Sequence, residues 1–166
     1  MLIICCGQNG VGKTTLAKKI CEKYSLTYYK NDRTKEIKEG YKLYMHLAMF
    51  MPDNIVADRA HLGEAIYPII KNDGRVPLTV EQIHDIEYTM MLYNKTILIK
   101  CEASRNFIVN TYNNRGESFI TIEQSIQECE LFKQIFKTSI LPSITWTPEE
   151  NQDEWFNRLD KKIKEI

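Results

Sequence analysis

The sequence predicts an α/β protein, a five-stranded parallel sheet flanked by helices in three layers. Three observations carry this. Short apolar runs alternate with segments of helical periodicity along the 166 residues. A glycine-rich segment lies between the first such run and the first helical segment. Threonine-led capping boxes mark the helix starts of the second half. Apolar runs without polar alternation are what strands buried on both faces look like, and strands separated by helices pair in parallel.

Residues 2–6 (LIICC) form the first continuous apolar run, ended by Gly7. Residues 14–24 then place Leu16, Ala17, Ile20, Cys21 and Tyr24 on one helical face. A short strand is expected at 27–29 and a helix over about 35–51, stopped by Pro52. Residues 54–57 read as another short strand, followed by Asp58 and Arg59. Thr79, Thr121 and Thr147 begin T-V-E-Q, T-I-E-Q and T-P-E-E. In each, the threonine hydroxyl accepts from the third residue's amide while that residue's side chain reaches back. These boxes predict helices over about 80–94, 122–138 and 148–165. Pro148 stands at the first helical position of the last, where no amide is missed. Between them, Thr96–Cys101 and Ser143–Trp146 complete the strands.

Length suits one domain over 1–166 with a single substantial core. Lys plus Arg (22) equals Asp plus Glu (22), so there is none of the basic excess of a protein gripping a nucleic-acid backbone. No apolar run approaches the roughly 18 residues of a membrane span. The opening MLIICC has no basic leading segment and breaks at Gly7, so a cytoplasmic protein is expected. Five cysteines, an odd number without CxxC spacing, argue against a disulfide framework or zinc site.

The most specific segment is Gly7-Gln8-Asn9-Gly10-Val11-Gly12-Lys13-Thr14, which satisfies G-x-x-x-x-G-K-[ST] between a strand and a helix. Average residue usage would give such a match by chance in roughly one chain in 200 of this size. Glycines let the backbone curl so that successive amides, and the helix's positive end, face an anion. The expected ligand is ATP. Lys13 would reach the β- and γ-phosphates, Thr14 would ligate Mg²⁺, and Thr15 would add an α-phosphate contact.

A phosphate loop does not by itself separate a kinase from a GTPase. A base-reading N-K-x-D is missing, since Asn94-Lys95-Thr96-Ile97 lacks the Asp. IVADRAHLGEAIYP (55–68) is more informative. Asp58 closes a strand, where it would sit near the loop and its metal, and Arg59 could clamp a second phosphate. The plain alternative for the pair is a solvated strand end.

Strand, phosphate loop and D-R at the end of the third strand resemble the thymidylate kinase and deoxynucleoside kinase superfamily. The extended D-R-x-H-L-G-E-x-x-Y is similar to compact thymidylate-kinase-like proteins of bacteriophages. The resemblance implies a P-loop nucleotide kinase fold, with Asp58 near Mg²⁺ and Arg59 on the acceptor phosphate. Glu64 and Tyr67 match the same pattern. It also implies an arginine-bearing lid over about 103–120. Arg115, in N-R-G-E-S-F-I, would stabilise the transferring phosphoryl group, with Arg105 behind it. The family often forms a homodimer through helices flanking the acceptor site. This chain departs from cellular thymidylate kinases in its shorter acceptor region. Its segment 28–36 (YYKNDRTKE) matches no acceptor motif, leaving Asp32, Arg33 and Glu36 as acceptor contacts or a solvated cluster.

The activity these readings imply is transfer from ATP to a deoxynucleoside monophosphate, dTMP or a related pyrimidine nucleotide. Three alternatives stay open. One is a kinase for a hydroxyl on a modified base in phage DNA, such as 5-hydroxymethyluracil, the one reading with a nucleic-acid partner. Another is a deoxynucleoside kinase, ranked lower because the strand-end motif is D-R-A rather than E-R-S. The third is a nucleotide-binding regulatory module. Among remaining residues, His61 suits packing or a lid contact, His46 and His84 suit surface or core. Tyr41, Tyr44, Phe50 and Met51 form either core or a base pocket.

Overall fold

The computed structural model describes residues 1–30, 40–115 and 121–166. Five strands run in chain order: β1 Leu2–Gly7, β2 Thr27–Lys30, β3 Ile55–Asp58, β4 Thr96–Cys101 and β5 Ser143–Trp146. All pair in parallel, in the order β2-β3-β1-β4-β5. The helices are α1 Lys13–Tyr24, α2 Gly40–Phe50, α3 Tyr67–Lys71, α4 Val80–Tyr93, α5 Arg105–Arg115, α6 Ile122–Thr138 and α7 Gln152–Glu165. A 3-10 helix, His61–Ala65, links β3 to α3.

The two faces of β1 sort the core. Leu2, Ile4 and Cys6 join Ala57 and Leu98 in one cluster with Tyr44 and Ala48 of α2, Ile83, Ile86 and Met90 of α4, and Phe132 and Phe136 of α6. Ile3 and Cys5 join Val56, Ile97, Ile99 and Cys101 in the other, against Leu16, Ala17 and Ile20 of α1 and Trp155, Phe156 and Leu159 of α7. Period-two alternation on a strand covered on both sides produces this division, and it explains why LIICC carries no polar residue. No helix among the described residues is long and apolar enough to cross a membrane.

Two of the three expected capping boxes form. Thr79 accepts from the Gln82 amide while Gln82 returns to the Thr79 amide, and Thr121 and Gln124 do the same. The third does not start a helix. Glu150 accepts from the Thr147 amide at 2.7 Å, but the Glu150 amide goes to the Thr147 carbonyl, making a turn. The Glu150 carboxylate is also held by Arg158. α7 begins four residues later than expected, at Gln152, where the Asn151 side chain accepts from the Glu154 amide at 3.1 Å. Asn caps as well as Thr does, and Asp153 and Glu154 in the first turn favour that start electrostatically.

α5 was not foreseen as a helix within the expected lid. Its sequence, RNFIVNTYNNR, has little apolar periodicity and buries Ile108 alone in the core. Its start is local: the Ser104 hydroxyl accepts from the Phe107 amide at 3.1 Å. Of the helix expected over 35–51, residues 40–50 are helical and 35–39 lie outside the described residues. Asp32, Arg33, Glu36, the side chain of Arg115 and residues 116–120 of the expected lid also lie outside them.

Candidate functional site

The carboxyl ends of the strands gather the residues singled out above, as open parallel sheets do at the point where strand order reverses. β1 is that point, flanked by β3 and β4. Gly7 ends it with φ 155°, and a Cβ there would lie 2.1 Å from the Cys101 carbonyl oxygen of β4. Only glycine lets the chain leave the sheet this close to its neighbour. Gly12 (φ 99°) caps α1 in the left-handed region, beside the indole of Trp146 at the end of β5. Between them Gln8 is buried; with its amide oriented to satisfy both groups, it donates to Cys101 O and accepts from the Ala103 amide.

Lys13, the first residue of α1, is 5% exposed, and its Nζ donates to the Gln8 carbonyl at 2.6 Å. Burial pushes its pKa down, and the nearby Arg59 guanidinium pushes the same way. Glu128 opposes this only in part, so a buried amine held across its own loop is poised to meet an anion.

Asp58, the last residue of β3 and 1% exposed, pairs in register with Cys5 and Lys30. Its Oδ2 accepts from the Thr14 hydroxyl at 2.5 Å and from the Tyr28 hydroxyl at 2.8 Å. Its Oδ1 is buried with no hydrogen-bond partner among the described residues. A buried carboxylate oxygen left bare beside a threonine hydroxyl is a hard-oxygen donor set that fits Mg²⁺.

Arg59 adopts φ 75°, a left-handed conformation that costs a non-glycine residue about 1 kcal/mol or more. Its amide nonetheless donates to the Cys5 carbonyl at 3.1 Å, so the sheet holds the turn in place. The exposed side chain turns back over the loop and donates from NH2 to Asn9 Oδ1 at 3.0 Å. Sequence and fold thus bring together Lys13, Thr14, Asp58, Arg59 and the loop residues 7–12. Thr15 is exposed on the next position of α1. Arg105 is exposed at the start of α5, beyond β4, and makes no hydrogen bond or ion pair with this group among the described residues.

Three side chains escaped the sequence reading. Tyr28 fixes Asp58 from the edge strand β2. Glu128 of α6 is fully buried. Its Oε1 accepts from the Asn9 amide and from the Tyr67 hydroxyl, each at 2.8 Å, and its Oε2 accepts from Asn9 Nδ2 at 3.3 Å. Burial raises its pKa, offset in part by Lys13 and by the Tyr67 and Asn9 hydrogen bonds. A signal for it existed: Glu128 lies on the same stripe as Ser125 and Phe132, a carboxylate at a core position. Arg75 is the third, donating to Glu64 at 2.6 Å while gripping Asp73. Burial raises the Glu64 pKa and Arg75 opposes it.

Other expectations resolve as packing. His61 is fully buried against Glu87 at 3.0 Å, and Glu87 also accepts from Ser139 Oγ and the Ile140 amide. Tyr44 is core, Tyr41 donates to Asp85, and Phe50 is 68% exposed, so the aromatic positions of α2 do not converge on one pocket.

No protein-family profile matches the chain, and no curated relative does. Solved structures do. The YorR protein of Bacillus subtilis, crystallised in complex with phosphorylated GDP, aligns with TM-score 0.80 at 21% identity over 99% of this chain and 96% of that one. Deoxyadenosine kinase from M. mycoides, with bound dCTP, aligns with TM-score 0.64 at 19% identity over the whole of both chains. Shikimate kinase from Aquifex aeolicus aligns with TM-score 0.53 at 13% identity, over 99% and 97%. The fold is that of the P-loop kinases.

Proposed function

We propose that the protein is a phosphotransferase that moves the γ-phosphoryl group of ATP onto a nucleotide, a deoxynucleoside monophosphate such as dTMP. The observation that carries this is the strained Arg59 beside Asp58, its guanidinium folded over the phosphate loop at Asn9. Asp58 and Thr14 would hold Mg²⁺, which would supply positive charge against the developing phosphate charge. Lys13, released from the Gln8 carbonyl, would meet the β- and γ-phosphates, with the glycine-rich loop's amides as further donors. Arg59 holds the acceptor phosphate in line. Little covalent chemistry is then required of the protein, because positioning and charge do the catalysis. The family resemblance gives Arg115, with Arg105 behind it, the role of stabilising charge on the transferring phosphoryl group.

The similarity of D-R-A-H-L-G-E-A-I-Y to thymidylate-kinase-like proteins of bacteriophages supports a monophosphate acceptor and a pyrimidine base. The guanine nucleotide on the YorR protein and the deoxyadenosine kinase likeness favour testing purines and nucleosides beside it. The test is transfer of label from ATP with Mg²⁺ to a panel of dNMPs, nucleosides and DNA containing 5-hydroxymethyluracil. Label on a dNMP, lost in Lys13→Ala, is the expected result. Arg59→Ala should raise the acceptor KM by on the order of tenfold or more and the ATP KM far less. Transfer to DNA or nucleosides alone would overturn the monophosphate reading.

A further inference from the structure

We propose that Glu128 is a positioning residue: its carboxylate fixes the side-chain amide of Asn9 and, through it, the guanidinium of Arg59. Its bearing on acceptor binding rests on Arg59 being the acceptor-phosphate clamp. Four groups form one chain, each within hydrogen-bond reach of the next. Tyr67 of α3 donates to Glu128, Asn9 donates to Glu128 twice, and Arg59 donates to Asn9.

The chemistry makes the chain directional. An ionised carboxylate offers acceptors only, so Asn9 must present its NH₂ to Glu128. That leaves Asn9 Oδ1 facing away, where the Arg59 guanidinium, which offers donors only, finds it at 3.0 Å. An amide has two ends, and Glu128 decides which one Arg59 sees. The backbone amide of Asn9, bound to the same carboxylate, fixes the residue that bears this side chain.

Glu128 is fully buried, and leaving a carboxylate there is expensive unless charge and hydrogen bonds compensate. Lys13 supplies part of that charge. A fully apolar residue at this stripe position would avoid the expense, so the carboxylate has a use at the loop rather than in the core. The consequence is that α6 sets the orientation of the arginine that follows β3.

Glu128→Gln is the informative change, because it keeps shape. Its oxygen can still accept from the Asn9 amide and Tyr67, but its NH₂ then opposes the Asn9 NH₂. Asn9 turns over and presents a donor to Arg59. Arg59 therefore loses its partner without being touched. Two measurements read this out. In proton-exchange NMR, the Arg59 side-chain NH signals should exchange several-fold faster in Glu128→Gln, with Arg158, remote on α7, unchanged as the internal control. In steady-state assays, Glu128→Gln and the more exposed Asn9→Ala should each raise the acceptor KM about three- to tenfold with a smaller change for ATP. Either change combined with Arg59→Ala should add little beyond Arg59→Ala alone.

Unchanged Arg59 exchange in Glu128→Gln overturns the linkage, whatever the protein phosphorylates. Multiplicative KM effects in the double variants overturn it too, since a merely structural role gives independent losses. A protein that phosphorylates no nucleotide yet shows accelerated Arg59 exchange upholds the linkage and refutes the proposed acceptor instead. If Glu128→Gln does not fold, Asn9→Ala carries the exchange measurement, with the same expected and overturning results.

Discussion

Gly7→Ala puts a methyl group where the sheet has no room. The new Cβ would stand 2.1 Å from the Cys101 carbonyl oxygen and 3.0 Å from the Cys101 carbonyl carbon and Cβ. That oxygen contact falls about 1.4 Å inside the roughly 3.5 Å at which non-bonded atoms attract best. The neighbours are backbone of a central strand, so β1 must move away from β4 at the Gly7–Cys101 register position. Adopting φ 155° with a side chain costs about 1–3 kcal/mol. Displacing the strand end weakens one or two ladder hydrogen bonds, about 1 kcal/mol each. The expected loss is therefore about 2–5 kcal/mol, or a Tm lower by roughly 5–15 °C for a chain of this size. Circular-dichroism melting and equilibrium ATP binding measure both halves of the effect. Nucleotide affinity should fall as well, because Gly7 opens the phosphate loop. A variant melting within about 2 °C of the parent with unchanged ATP affinity would refute the steric argument.

Asp58→Asn keeps an oxygen for the Thr14 and Tyr28 hydroxyls but sets an NH₂ where the bare Oδ1 stands. The fold should survive, while turnover falls on the order of 100-fold and the Mg²⁺ titration shifts to higher concentration; an unmoved Mg²⁺ midpoint would remove Asp58 from the metal. Thr79→Ala, Thr121→Ala and Asn151→Ala should each lower stability by about 1 kcal/mol in urea unfolding. Thr147→Ala should lower it by less than about 0.5 kcal/mol, and equal losses at Thr147 and Asn151 would contradict the helix start at Gln152. Glu128 gives a pH signature. Its folded pKa is raised above 4.5, so the folded state holds a proton the unfolded chain releases. Its contribution to stability is thus most favourable below that value and declines as pH rises through the raised one. The stability of the parent relative to Glu128→Gln should fall with pH across that window, and a flat difference would contradict the raised pKa.

Much of the fold was legible because its signals are local. The three central strands, β1, β3 and β4, were apolar runs, and two threonine boxes fixed α4 and α6 to the residue at their starts. Where a second local signal competed, the outcome turned on tertiary partners. Thr147 offered a box, but Asn151 opened the helix that seats Trp155, whose Nε1 donates to the Thr145 carbonyl at 3.0 Å. α5 went unread because its face toward the core is only the adjacent Phe107 and Ile108, and periodicity needs more than that.

The phosphate loop could be read from eight consecutive residues because its geometry is made by its own backbone, with glycines where φ must be positive. The same holds for Asp58 and Arg59 as neighbours at a strand end. What the sequence alone did not contain is how those pieces hold each other. Glu128 lies 119 positions from Asn9, and Tyr28 lies 30 from Asp58. Those pairings exist because parallel strands deliver distant segments to one edge of the sheet, and chain separation says nothing about which side chains meet there. The left-handed turn of Arg59 has the same origin, since an arginine holds that conformation only when the strand before it and the Asn9 amide ahead of it leave no better one. Local sequence determined the glycine-rich loop and its backbone geometry. Tertiary packing decided where its charged partners point.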